Sequence, residues 1–233
     1  MLQTRLSNER GFADHGWLKT YHSFSFADYY DPQNMGFKSL RVINEDRIAG
    51  GRGFGAHSHR NMEIITYIVK GALQHKDSMG TESVIRPGEV QYMSAGTGVV
   101  HSEFNATANQ ETHLFQIWIM PKANGGSPQY DQKDFSQKLL EQTFVLAASG
   151  DGRDGSIQIR QDADFWIGHL NKGEIKDFKL SQGRGIYLHC ASGAARLNGN
   201  RIQTGDAIKI EEEGAITMLG EDAHSEILLF DLV

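Results

Sequence analysis

Gly51-Arg52-Gly53-Phe54-Gly55-Ala56-His57-Ser58-His59, followed at a distance by His101-Ser102-Glu103, decides how this chain is read. The triplets 57–59 and 101–103 each set two metal-capable side chains two residues apart. Side chains alternate between the two faces of a β-strand, so residues i and i+2 point the same way. On neighbouring strands with those faces together, three imidazoles and one carboxylate converge. Such a set binds a divalent transition metal and leaves coordination positions open for other ligands. Nitrogen and oxygen donors of this kind suit Fe(II), Mn, Co, Ni, Cu or Zn, and the lack of thiolates disfavours a structural zinc site. Spacing alone leaves the fourth position open. Glu63 has the parity of residues 57 and 59 on a continuous strand and competes with Glu103. His113, on another apolar run, is a third candidate.

Outward from the first triplet, short runs of strand-forming residues alternate with turns. The glycine-rich stretch 50–55 lacks the order of a phosphate-binding loop, and no helical pattern follows it, so it reads as a turn feeding the His57 strand. His22-Ser23-Phe24-Ser25-Phe26 alternates with period two and predicts a strand. Further strands are expected at 40–43, 62–69, 73–76, 83–85, 90–93, 99–101 and 113–120. Residues 122–132 are polar and glycine-rich and read as a linker, and 134–142 carries a short helical pattern. Strands then resume at 144–147, 157–160, 165–170, 175–180, 186–189, 195–197, 207–210, 215–218 and 226–232, with turns at Asn198-Gly199 and Glu213-Gly214. The expectation is an all-β protein with few short helices, divided into domains 1–130 and 131–233. The first carries the metal triplets. The second has no such triplet: His169 and His189 are isolated, and His224 lies near Glu226 alone.

Composition narrows the function classes. With 23 Lys and Arg against 29 Asp and Glu, the chain of 233 residues has a net charge of -6, which argues against direct nucleic-acid contact. No apolar run approaches the ~20 residues of a membrane span, and the first ten residues have no signal-peptide core. A cytoplasmic monomer is expected. The single cysteine, Cys190, excludes an internal disulfide and reads as a small buried apolar residue. Trp17, Tyr21 and Phe24 are expected to pack in the core, with a pocket wall as their alternative.

The spacing of glycines, histidines and acids resembles a known family. Gly51-x5-His57-x-His59-x3-Glu63, then Gly71, is similar to the first cupin motif. Gly88-x5-Ser94-x-Gly96, then His101-x3-Asn105, is similar to the second. The interval from Glu63 to Gly71 is one residue longer than the usual pattern, the His101 spacing is longer, and Ser94 stands where proline is usual. These departures, with Gly96-Thr97-Gly98-Val99-Val100-His101-Ser102-Glu103, resemble the pirin family of two-domain cupins. Glu9-Arg10-Gly11, His15-Gly16-Trp17, Ser23–Ala27, Asp77–Gly80 and Gln116–Ile119 extend the resemblance, which weakens beyond residue 150. It is nearest to bacterial pirin-like proteins with quercetin 2,3-dioxygenase activity.

The resemblance implies two consecutive jelly-roll β-barrels and one divalent metal, Fe(II) before Mn, Co, Ni, Cu or Zn. It implies His57, His59, His101 and Glu103 as ligands, with Glu63 a structural carboxylate behind them. It further implies an enzyme that cleaves a flavonol such as quercetin with O₂ and releases carbon monoxide, without an organic cofactor. Glu103, the one carboxylate in that set, is then also the expected general base. The alternative is a metal-dependent, redox-sensitive regulatory protein that binds partners without turnover.

Overall fold

The computed structural model describes residues 2–211 and 214–233, and its regular structure is mostly antiparallel strand, with one parallel pair between Phe144–Ser149 and Ile157–Gln158. The expected turn at Glu213-Gly214 lies partly outside the described residues. The chain forms two compact units. One comprises residues 11–136 with 159–161; the other comprises residues 1–10, 137–158 and 162–233.

The first unit contains a seven-stranded sheet in the order Gln129–Asp134, Glu89–Ser94, Glu63–Lys70, Thr112–Ile119, Leu40–Ile48, Leu18–His22, Gly11–Asp14. A four-stranded sheet, in the order Gly53–His59, Val99–Asn105, Leu73–Asp77, Glu82–Ile85, faces it. Apolar side chains from both sheets meet between them: Leu18, Ile48, Ile68 and Leu114 from the wide sheet pack with Leu73 and Ile85 from the narrow one. Each strand of the narrow sheet turns one face inward. Leu73-Gln74-His75-Lys76-Asp77 alternates buried and exposed throughout, and so does the stretch Val99 to Asn105, apart from the half-buried Ser102. This is the period-two pattern of a strand with one face on a core.

The second unit repeats the arrangement. Its seven-stranded sheet runs Leu2–Arg5, Ala207–Glu211, Gly185–Ser192, Ser225–Leu232, Ala163–Leu170, Phe144–Ser149, Ile157–Gln158. Its four-stranded sheet runs Ile175–Lys179, Ala215–Gly220, Ala194–Leu197, Asn200–Gln203. Ile186, Leu188, Ile208, Ile227 and Leu229 of the wide sheet meet Leu197, Ile202, Ile216 and Met218 of the narrow one. Cys190 lies in this core, and burial pushes its thiol up to about 12.

Three local expectations differ from the structure. Residues 23–26 are not a strand; the strand ends at His22, and Phe26 pairs with Tyr29 across a tight turn. The polar stretch 122–132 contains the start of the edge strand Gln129–Asp134, whose side chains are mostly half-buried. An edge strand with one solvated face needs few apolar residues, so its composition resembled a linker. The strands Leu2–Arg5 and Gly11–Asp14 were also hidden, each being four residues long, too short for a period-two pattern to stand out. No helix among the described residues is long and apolar enough to cross a membrane.

Candidate metal centre and pocket

Both triplets lie on the narrow sheet of the first unit, on adjacent antiparallel strands. His101 sits opposite His57, and Val99 opposite His59. A bulge follows His101, so that Glu103 faces Phe54 instead of Gly55. An extra residue in one strand bends it and re-aims its side chains. Gly53 permits the close approach: a Cβ there would come within 2.2 Å of the Glu103 carbonyl and 2.5 Å of the Phe104 Cα.

The three imidazoles converge. Ring centroids of His57 and His101 are 4.4 Å apart, those of His57 and His59 4.8 Å, and those of His59 and His101 4.9 Å. Their ligand atoms lie within 4.8 Å of one another. Glu103 does not join them in one group of four. It belongs to a second group, with His75 and His101, whose ligand atoms meet the same 4.8 Å limit. His101 is therefore the hinge between the histidine trio and the carboxylate.

Neighbouring groups fix which ring nitrogens carry protons. His57 Nδ1 donates to the Gly55 carbonyl at 2.8 Å, which leaves Nε2 as its acceptor. His75 is fully buried; its Nε2 donates to Asp77 at 3.0 Å, and its Nδ1 accepts from Gln91 Nε2 at 2.9 Å. That Nδ1 also lies 3.5 Å from His101 Nδ1, which points the remaining His101 nitrogen, Nε2, into the cluster. Such outer contacts set the tautomer and orientation of ligating histidines. Sequence reasoning missed His75, although His75-Lys76-Asp77 has the same two-residue spacing as the triplets it did find.

The electrostatics favour neutral imidazoles at His59 and His101. Burial, and then the charge of His57, pull His59 down to about 4. Burial followed by His57, His59 and His75 pulls His101 down to about 2. Burial pushes Glu103 up to about 7, opposed by its bond from Gln116 and reinforced by Asp46. Gln116 Nε2 donates to Glu103 Oε2 at 2.9 Å. The other oxygen, Oε1, and His101 Nε2 are buried without a hydrogen-bond partner among the described residues. Leaving buried acceptors unsatisfied costs roughly 1–3 kcal/mol each. A cation satisfies both at once, so this nitrogen-rich donor set fits a divalent metal.

The rival positions are otherwise engaged. Glu63 is fully buried, and both of its oxygens accept hydrogen bonds. Oε1 accepts from Ser94 at 2.7 Å; Oε2 accepts from Tyr92 and, at 2.9 Å, from the Arg160 backbone. His113 Nε2 donates to Glu45 at 3.0 Å and is absent from both ligand groups.

The cluster opens onto a cavity of about 470 Å³. Trp17, Phe26, Phe54 and Trp118 supply aromatic walls, and Trp118 meets His59 edge-on at 4.9 Å. Thr20, His22, Asn44, Asp46 and Gln116 form a polar side. Of the aromatics weighed in the sequence, Trp17 lines the cavity, Phe24 is core, and Tyr21 packs on Phe12.

Two β-barrels, one holding a histidine cluster at the mouth of an aromatic cavity, define a two-domain cupin. The chain belongs to the pirin family, whose pattern residues 3–119 match; residues 146–232 match the quercetinase C-terminal cupin domain. It is 45% identical to quercetin 2,3-dioxygenase of Escherichia coli K12, across 100% of this chain and 99% of that protein. It is 42% identical to a pirin-like protein of Caulobacter vibrioides, across 99% of both. The crystal structure of the bacterial pirin YhhW from Escherichia coli in complex with nickel(II) superposes with a TM-score of 0.95. That structure is 44% identical and covers 100% of this chain and 99% of its own.

Proposed function

We propose that this chain is a metal-dependent dioxygenase that cleaves a flavonol such as quercetin with O₂. His57, His59, His101 and Glu103 would hold one divalent ion, with Fe(II) the first to test and nickel(II) supported by the relative that binds it. The observation that carries the reading is the pair of buried, partnerless acceptors, His101 Nε2 and Glu103 Oε1, beside a cavity with aromatic walls. When bound, the ion supplies Lewis acidity toward a substrate oxygen.

The residues of the chain do the rest. Trp17, Phe26, Phe54 and Trp118 stack on and enclose a planar aromatic body, which limits water in the cavity. Gln116 holds Oε2 of Glu103; Oε1, the oxygen left for the ion, would have to swing partly free of it to take the proton of the substrate hydroxyl. The resulting enolate is the electron-rich species that reacts with O₂, after which the heterocycle opens and carbon monoxide leaves. His75, Asp77 and the Gly55 carbonyl hold the imidazoles in one tautomer throughout.

The test is O₂ uptake and carbon monoxide release with quercetin, using protein loaded in turn with Fe, Mn, Co, Ni and Cu. Turnover with at least one ion is expected, and Glu103→Gln with unchanged metal content should lose on the order of 100-fold or more in kcat. Absence of uptake with every ion refutes the reading; full activity in Glu103→Gln refutes the base.

A further inference from the structure

The polar side of the cavity contains an acid that nothing in the mechanism above uses. Glu45 and Asp46 are consecutive on the strand Leu40–Ile48 and point to opposite faces. Glu45 is engaged: it accepts from His113 at 3.0 Å and lies 3.7 Å from Arg47. Asp46 is 3% exposed and lines the cavity, and its Oδ1 has no hydrogen-bond partner among the described residues. No cationic side chain lines that cavity apart from histidines. Burial pushes the Asp46 carboxyl up to about 7, opposed by Thr20 and reinforced by Glu45.

Its place in the sheet sets what it can reach. Asp46 lies between Thr20 and Leu114 on the flanking strands, and Asn44 lies between His22 and Gln116. The second row is already tied together. His22 Nδ1 donates to Asn44 at 2.7 Å, and Gln116 donates to Glu103 at 2.9 Å. Asp46 stands two residues further along the strand, about 7 Å from that row. This is roughly the separation of two hydroxyls on neighbouring rings of a fused aromatic body.

We propose that Asp46 is a specificity-determining residue that binds a second hydroxyl of the aromatic ligand, distinct from the hydroxyl that meets Glu103. The pocket then selects polyhydroxylated aromatics over singly hydroxylated ones. The inference rests on the flavonol reading and adds a second recognition point to it. A hydroxyl donating to the Asp46 carboxyl satisfies an acceptor that the protein leaves buried and without a partner among the described residues, so its absence in a ligand is penalised.

The test compares anaerobic binding of quercetin and of 3-hydroxyflavone to nickel-loaded protein, followed by quenching of tryptophan fluorescence. The wild type is expected to prefer quercetin by about tenfold. Asp46→Ala should reduce that ratio to near one while 3-hydroxyflavone binds as before. Asp46→Leu, which keeps the branched shape in a larger side chain without a polar atom, should do the same and serves if the alanine variant folds poorly. An unchanged preference in either variant, at equal nickel content, overturns the role of Asp46 and leaves the flavonol reading standing. Failure of the wild type to bind either compound overturns that reading and Asp46 with it.

Discussion

The two barrels use the same layout for opposite ends. In each, a seven-stranded sheet faces a four-stranded one, and the second strand of the narrow sheet turns alternate residues into the interior. In the first barrel those residues are His101 and Glu103, 2% and 1% exposed. In the second they are Ile216 and Met218, both fully buried in an apolar cluster. The scaffold therefore does not dictate chemistry at this position. Apolar side chains there add core; an imidazole and a carboxylate leave two acceptors unsatisfied among the described residues, which a bound cation repairs.

The comparison can be broken most directly by making the first barrel resemble the second. His101→Ile with Glu103→Met should abolish nickel(II) binding measured by calorimetry, a loss on the order of 1000-fold or more in affinity. The same variant, freed of two unsatisfied buried acceptors, should be more stable than metal-free wild type by roughly 2–6 kcal/mol in urea unfolding. Retained nickel affinity would show that the strand 99–105 is not where the metal is held.

The acids of the first barrel predict a pH dependence next. Asp46 is raised to about 7 in the folded state from an ordinary value of 3.8. The folded protein thus holds a proton that the unfolded chain releases between about pH 4 and 7. Its contribution is fully present below pH 4 and is lost as pH rises through 7. Metal-free wild type should lose about 4 kcal/mol more than Asp46→Asn between pH 4 and pH 8, at about 1.4 kcal/mol for each pH unit. Parallel profiles of the two proteins, measured by urea unfolding, would rule out Asp46 as the source.

The smallest change sharpens the comparison from the other side. Ile216→Ala in the second barrel should cost about 3 kcal/mol through the cavity it leaves. Nickel content and flavonol turnover should be unaltered. A drop in nickel content on this substitution would mean that the apolar barrel contributes to the metal centre.

The architecture was legible where sequence and face alternate together. His57-Ser58-His59 and His101-Ser102-Glu103 announced the strands and the meeting of three imidazoles, because parity on a strand is a property of spacing alone; Glu103 falls instead in a group with His75 and His101. The bulge after His101 was not legible, since it depends on how closely Gly53 approaches Glu103 across the sheet. Glu63 illustrates a different limit. Its parity matched the histidines, but its environment consists of Tyr92, Ser94 and Arg160, separated from it by 29 to 97 residues. Asp46 and Gln116 were invisible for a similar reason: nothing in Asn44-Glu45-Asp46-Arg47 says which acid meets a base and which meets a cavity.

The strand Leu2–Arg5 pairs with Ala207–Glu211, and the Ser7 amide donates to Asp206 at 2.7 Å. Residues 159–161 in turn belong with the first barrel, where the Arg160 amide reaches Glu63. During synthesis the strand Leu2–Arg5 must therefore wait some 200 residues for its neighbour, and each barrel is completed by a piece of chain from the other half of the sequence. Cutting the gene into a front and a back portion would leave both products short of a strand or a buried anchor. Restoring them would take a peptide supplied in trans, so this chain is a poor donor of stand-alone modules for recombination.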